Sequence, residues 1–211
     1  MDRNTQIGTF CSIIRVSRET LEIFKKYEIL SLENNKKLNL IGKTTTKDIW
    51  SRHFLDSAQA IDFINKNDKL LVDLGSGAGL PGLVIAILCK EKQMPLKITL
   101  IEKSPKKIKF LKDAIKELGL TVNVLEKNIL KEPIKLLEDV FIARAFKPIK
   151  IILEFIHNNT KNFKKIIIFM GKTGKSELLE VSKIWDIGYK QRVSATNSDS
   201  FVIEINKLKK K

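Results

Sequence analysis

A chain of 211 residues, 43% of them hydrophobic, is sized for one domain or one domain with a short appendage, and nothing in it suggests a second full domain. With 39 Lys plus Arg against 24 Asp plus Glu, the formal charge of +15 favours a polyanionic partner such as nucleic acid, although evenly scattered lysine equally describes solvated faces, so charge alone decides little. Cys11 and Cys89 stand apart with no C-x-x-C or His neighbour, which argues against a disulfide framework or a metal site and for a cytoplasmic enzyme; no segment reads as a signal peptide or reaches the roughly 20 apolar residues of a membrane span.

Residues 18–64 read as helical, with Leu21, Phe24, Tyr27 and Leu30 forming one stripe and Ile49, Trp50, Phe54, Ala58, Ile61 and Ile64 another at 3.6-residue spacing. Together with the N-terminus they make a helical cap over 1–66. From residue 69 the period changes, within a core read as 67–211. KLLVDLG, LKITLIE, TVNVLE, DVFIAR and KKIIIFM are short apolar runs separated by amphipathic segments, the pattern of a Rossmann-like α/β core around a parallel sheet. The helix after LKITLIE is the clearest: Ser104 can cap it, Pro105 suits its first position, Ile108, Leu111, Ile115 and Leu118 line one face, and Gly119 can end it. IGYKQRVSA and SFVIEINK flank Thr196 to Asp199 as an antiparallel hairpin, and LKKK reads as a frayed basic tail.

LVDLGSGAGLPG, residues 71–82, runs from a strand through closely spaced glycines into a helix. Gly75, Gly77 and Gly79 permit positive φ and close approach of a small ligand. Gly77, Gly79 and Gly82 satisfy the dinucleotide spacing G-x-G-x-x-G, while Gly75, Gly77 and Gly79 give the tighter G-x-G-x-G of methyltransferases. Asp73 separates the two readings: a carboxylate there attracts the cationic amino acid of S-adenosylmethionine and repels a pyrophosphate. Glu102, ending the next strand, can accept hydrogen bonds from ribose hydroxyls.

The methyl acceptor leaves its trace in absences. Neither cysteine is placed as a nucleophile for pyrimidine C5, and Ala143-Arg144-Ala145-Phe146-Lys147-Pro148 lacks the polar-Pro-Pro-aromatic loop suited to exocyclic amines. A ring nitrogen such as guanine N7 exposes its own lone pair and needs no general base. Arg144 and Lys147 fall on a strand-end loop that should face the cofactor.

NLIGKTTTKDIWSRHFLDS, VDLGSGAGLPG, IEKSPKKIKFL and ARAF together resemble the bacterial glucose-inhibited division protein B family of small-subunit ribosomal RNA guanine-N7 methyltransferases, over about residues 20 to 175. The resemblance implies a class I methyltransferase fold with a mostly parallel seven-stranded sheet and a C-terminal antiparallel hairpin, methylating one guanine of 16S ribosomal RNA. It places Gly75 and Leu80 on the cofactor, the main chain near Asn128, Ile129 and Leu130 beside the adenine, and Arg144 at the strand-end loop. Asn39 and His53 match polar positions at the mouth of the site and, with Arg144, are the catalytic candidates; His53 reads equally as a packing residue. Lys43, Arg52, Lys106 and Lys147 are the expected phosphate contacts. Two positions depart from the family: Met170, not lysine, precedes Gly171, with Lys172 the nearest lysine, and the hairpin offers Ser198, Asp199 and Ser200 where an arginine is common. The partner implied is the ribosomal RNA or subunit, with no membrane and no obligate protein partner, for a monomer. A small-molecule methyltransferase, a catalytically silent ribosome-associated RNA-binding factor and, more distantly, an NAD-dependent oxidoreductase are the rival readings.

Overall fold

The computed structural model describes residues 1–132, 134–160 and 162–211. Seven strands form one sheet in the order β3-β2-β1-β4-β5-β7-β6. The five runs read from the sequence become β1 (Leu70–Leu74), β2 (Lys97–Glu102), β3 (Val122–Glu126), β4 (Val140–Arg144) and β5 (Lys165–Met170), all mutually parallel. β6 (Trp185–Ser194) and β7 (Asn197–Lys210) form the antiparallel hairpin, with β7 paired to β5. The hairpin is longer than its apolar core suggested. The basic terminus is not frayed, because β7 runs to Lys210 and pairs Lys209 and Lys210 with Asp186 and Trp185.

Helices α4 (Gly82–Glu91), α5 (Pro105–Glu117), α6 (Ile149–Asn159) and α7 (Gly174–Ser182) cover the sheet. Residues 82–89 of α4 are all buried, so this helix lies between sheet and cap. Gly82 makes that approach possible: a Cβ there would stand 2.3 Å from Leu100 Cδ2 and 2.6 Å from Asp73 Oδ2. α5 has the predicted bounds, with Pro105 in its first turn and Gly119 at φ +60° beyond its end, yet Ser104 makes no side-chain cap.

The cap differs most from expectation. α1 (Arg3–Ile14) precedes α2 (Arg18–Leu38), although its sequence carries no strong apolar stripe. The second stripe is no single α-helix. It breaks into a 3-10 turn (Lys43–Asp48), a π-helical turn (Trp50–Leu55), the short α3 (Asp56–Ala58) and another 3-10 turn (Gln59–Phe63). Aromatic packing overrides regular periodicity here: the Phe10 and Phe24 rings lie 4.8 Å apart, Trp50 and Phe54 5.2 Å, and Tyr27 stacks on Phe54 at 5.1 Å. Each such pair adds about 0.5–1.5 kcal/mol beyond its burial. These rings share one apolar core with Leu71, Leu83 and Leu100, so cap and sheet are cemented together.

Candidate active site

The strand order reverses between β1 and β4, and crevices at such switch points, outside the carboxyl ends of the strands, are where α/β sheets bind ligands. A cavity of about 470 Å³ lies there. Its walls include Gly75 to Ala78 and Leu80 from the glycine loop, Glu102 at the end of β2, Asn128 to Leu130 after β3, and Arg144 to Lys147 from the end of β4 onward.

The loop is built by backbone hydrogen bonds. The N–H groups of Gly75 and Ser76 both donate to Ile101 O at 3.0 Å, and Gly77 N–H donates to Glu102 Oε2 at 3.0 Å. Gly75, Gly77 and Gly79 take φ values of +72°, +56° and +85°. Gly75 admits no side chain, since a Cβ would stand 2.0 Å from Phe146 Cδ2. From the cap, Tyr27 donates its hydroxyl hydrogen to Ala78 O at 2.6 Å, fixing the loop from below.

Glu102 does the capping that Ser104 does not: its Oε1 accepts from Lys103 N–H and Ser104 N–H at 2.8 and 2.9 Å. Three backbone donors hold the carboxylate, and Oε2, with one donor, keeps an acceptor site for a hydroxyl. Asp73 lies deeper, beneath the loop and outside the cavity wall. Its Oδ2 accepts from Gly82 N–H at 3.0 Å, whereas Oδ1 is buried without a partner among the described residues. Burial pushes its carboxyl up to about 7, against the lowering effect of the Gly82 N–H. Asp73 therefore does not face the cavity directly, and the glycine loop lies between its carboxyl and the cavity wall.

Arg144 organises the opposite side. Its Nε sits 3.0 Å from Asp56 Oδ2, its Nη2 donates to Arg52 O at 2.6 Å, and its Nη1 lies 3.4 Å from His53 Nδ1. Because arginine only donates, His53 Nδ1 is the acceptor and Nε2 carries the hydrogen, which goes to Thr45 Oγ1 at 2.8 Å. Thr45 in turn donates to Gly42 O at 2.8 Å, and Gly42 lines the cavity. Burial, then the charges of Arg144 and Arg52, push the His53 pKa down to about 3. His53 is thus a neutral member of this chain with both ring nitrogens engaged. It touches the cavity, but its one lone pair, on Nδ1, faces Arg144 Nη1.

Asp56 extends the network to the C-terminal hairpin. Its Oδ1 accepts from Gln59 Nε2, Ser194 Oγ and Thr196 Oγ1 at 2.8, 3.0 and 3.2 Å. The hairpin therefore reaches the site through hydroxyls of its turn, while Ser198 and Asp199 stay exposed. Met170 is buried in the wall of a neighbouring cavity, and Lys172 is exposed away from both walls.

Of the expected site residues, the cavity gathers Gly75, Gly77, Leu80, Glu102, Asn128, Ile129, Leu130, Arg144, His53 and Lys147. Gly79 is packed behind the loop against Leu83 and Tyr27. Asn39 is an exposed left-handed cap of α2, and its neighbours Leu40, Ile41 and Gly42 reach the wall in its place. Lys43, Arg52 and Lys106 are exposed outside the wall, and Arg52 contributes its carbonyl rather than its charge. Lys103, Lys107 and Lys127, not singled out in the sequence, supply the basic rim. Periodicity marks Tyr27 only as a core position of its stripe and says nothing of its hydrogen bond to the loop, and no motif spacing marks Thr45 or these lysines.

The cavity fits an adenosyl group carrying an amino acid: apolar Ile101 and Ile129 beside a flat ring, an anchored carboxylate for ribose, and a glycine loop open to close approach. Sheet order and site define a class I S-adenosylmethionine-dependent methyltransferase. Solved structures agree in fold: a SAM dependent methyltransferase from Aquifex aeolicus superposes with a TM-score of 0.55 at 17% identity, covering 72% of this chain and 89% of that one. A tRNA (m1A58) methyltransferase from the same organism gives 0.54 at 12%, covering 73% and 68%. The family model GidB, described as rRNA small subunit methyltransferase G, matches residues 20–201, and the chain belongs to that family. A relative from Pelagibacter ubique named Ribosomal RNA small subunit methyltransferase G is 41% identical over 198 residues, 93% of this chain and 92% of the relative. Its namesake in Ruegeria pomeroyi is 33% identical over 193 residues, 91% and 93% of the two chains.

Proposed function

We propose that this chain methylates N7 of one guanine in small-subunit ribosomal RNA, acting as a cytoplasmic monomer on the RNA or the subunit. The observation that carries the reading is the lack, among the described residues lining the cavity, of a group free to take a proton. His53 has both nitrogens occupied, and the open acceptor site of Glu102, a carboxylate held by three backbone donors, is the one that a ribose hydroxyl would fill. Asp73 is buried outside the wall.

Bound S-adenosylmethionine supplies an electrophilic methyl group, which an in-line nitrogen lone pair accepts as the carbon–sulfur bond breaks. N7 of guanine has that lone pair at neutral pH and loses no proton, so the chain need only align the two partners and exclude water. Arg144, clamped by Asp56 and the Arg52 carbonyl, fixes the loop that carries Phe146 against Gly75. Lys103, Lys107, Lys127 and Lys147 at the cavity place positive charge where RNA phosphates would pass. At no point does a helix long and apolar enough to cross a membrane occur among the described residues.

The test is transfer of labelled methyl to small-subunit RNA and to whole subunits by the wild type and Asp73→Ala, with the product mapped by cleavage at 7-methylguanine. Labelling of one guanine, diminished in the variant, is expected. Cofactor binding without labelling of any RNA would overturn the reading in favour of a small-molecule acceptor.

A further inference from the structure

A second cavity, of about 300 Å³, adjoins the first. The two share Ala145, Phe146 and Lys147, so the loop after β4 is their common wall. The second is also lined by the apolar side chains of Ile152, Ile168 and Met170 and by Phe169, an aromatic ring additional to Phe146. The Arg144 guanidinium lies 6.0 Å from the Phe169 ring centroid, tying that ring to the network of the active site. Glu177, in the first turn of α7, is the one carboxylate among the described residues of the wall. Its Oε1 accepts from Thr173 Oγ1 at 2.7 Å, and among the described residues no group donates to Oε2.

We propose that this cavity receives the target guanine, turned out of the RNA, and that Glu177 reads its N1–H and 2-amino hydrogens; the proposal rests on the reading of the function given above. A base taken out of its stack is held by apolar and aromatic contacts on its faces and by hydrogen bonds along its pairing edge. A carboxylate offers acceptors only, and guanine alone among the four bases presents two adjacent donors on that edge. Adenine and cytosine set a ring lone pair against the carboxylate beside a single amino group, and uracil sets its one N–H between two carbonyls. Guanine N7 lies on the far side of the purine from the 2-amino group. Anchoring the pairing edge at α7 therefore leaves N7 free to face the wall shared with the cofactor cavity. Glu177 is a specificity-determining residue in this scheme, with Thr173 holding its carboxylate in orientation.

The experiment measures kcat/KM for methyl transfer to small-subunit RNA ligated from two pieces, free and in reconstituted subunits, so that the modified position carries guanosine or inosine. Inosine keeps N1–H and N7 but lacks the 2-amino group. Wild type is expected to lose about tenfold or more on inosine, the scale of one good base contact. Glu177→Gln is expected to lose a similar factor on guanosine and to distinguish the two substrates poorly, with the affinity for S-adenosylmethionine unchanged as a check on folding. A Glu177→Gln enzyme as fast as wild type overturns the proposal. So does one that is slower yet discriminates as sharply, the behaviour of a residue that merely caps α7. Wild type methylating both substrates alike removes the role of Glu177 and leaves the ribosomal reading standing. Methylation of no guanine at all overturns both.

Discussion

Arg144 and Asp56, 88 positions apart in the chain, form an ion pair with Nε 3.0 Å from Oδ2, and both side chains are largely buried. The pair joins three elements: the end of β4, the helical turns of the cap, and the turn of the C-terminal hairpin that donates to the other oxygen of Asp56. Lysine cannot replace this fork, because its compact ammonium lacks the rigid planar spread by which three separate guanidinium nitrogens reach Asp56, the Arg52 carbonyl and His53. Arg144→Lys is therefore expected to lower kcat/KM for RNA methylation by about tenfold or more, since small displacements of positioning groups are costly. Asp56→Asn should do the same, and the double variant should be little worse than either, which steady-state assays of all three would measure.

Asp73 predicts a pH dependence. Its folded pKa, raised by burial to about 7, lies above the ordinary value of 3.8, so the penalty for ionising it grows as pH rises between those values and is complete above them. A cation in the adjacent cavity is attracted only by the ionised form. Affinity for S-adenosylmethionine should thus weaken as pH falls below 7. Asp73→Asn should abolish that slope and raise the melting temperature at pH 8, as calorimetry across pH 5.5–8.5 would show.

Tyr27 holds the glycine loop through one hydrogen bond to the Ala78 carbonyl. Tyr27→Phe leaves that buried acceptor without its donor at a cost of about 1–3 kcal/mol. The expected result is a lower urea midpoint and weaker cofactor binding, with RNA affinity unchanged in a filter-binding assay.

The basic rim predicts salt behaviour. Each lysine at a phosphate contributes about 0.7–0.9 to the slope of log K against log salt. Lys107→Gln and Lys147→Gln should each reduce the slope by that amount and leave cofactor affinity as it was.

His53 predicts a silence. With its pKa pushed down to about 3, it contributes no inflection to the pH–rate profile between 5 and 9. An inflection lost in His53→Gln would contradict the neutral tautomer assigned from Arg144 and Thr45.

The sequence by itself determined what depends on neighbours along the chain. Strands β1 to β5 were legible because alternation of short apolar runs with amphipathic segments is a local signal, and α5 because its first-turn proline, stripe and terminating glycine lie within fifteen residues. The glycine loop and Glu102 were legible because backbone conformation and strand-end position are written in residue type. Only the tertiary structure decided the rest. α1 and the broken helical turns of 43–63 arise because aromatic rings from distant segments pack at fixed angles, which overrides the 3.6 period. The tail became strand because β6 offered it partners. Asp56, Thr45, Tyr27 and the engaged nitrogens of His53 acquire their roles from hydrogen bonds to groups tens of residues away, or across a turn of irregular helix, and such partners leave no periodicity to read. The same reason separates Lys107 and Lys147 from Lys43 and Lys106: the charge is in the sequence, and its place at the cavity is set by the fold.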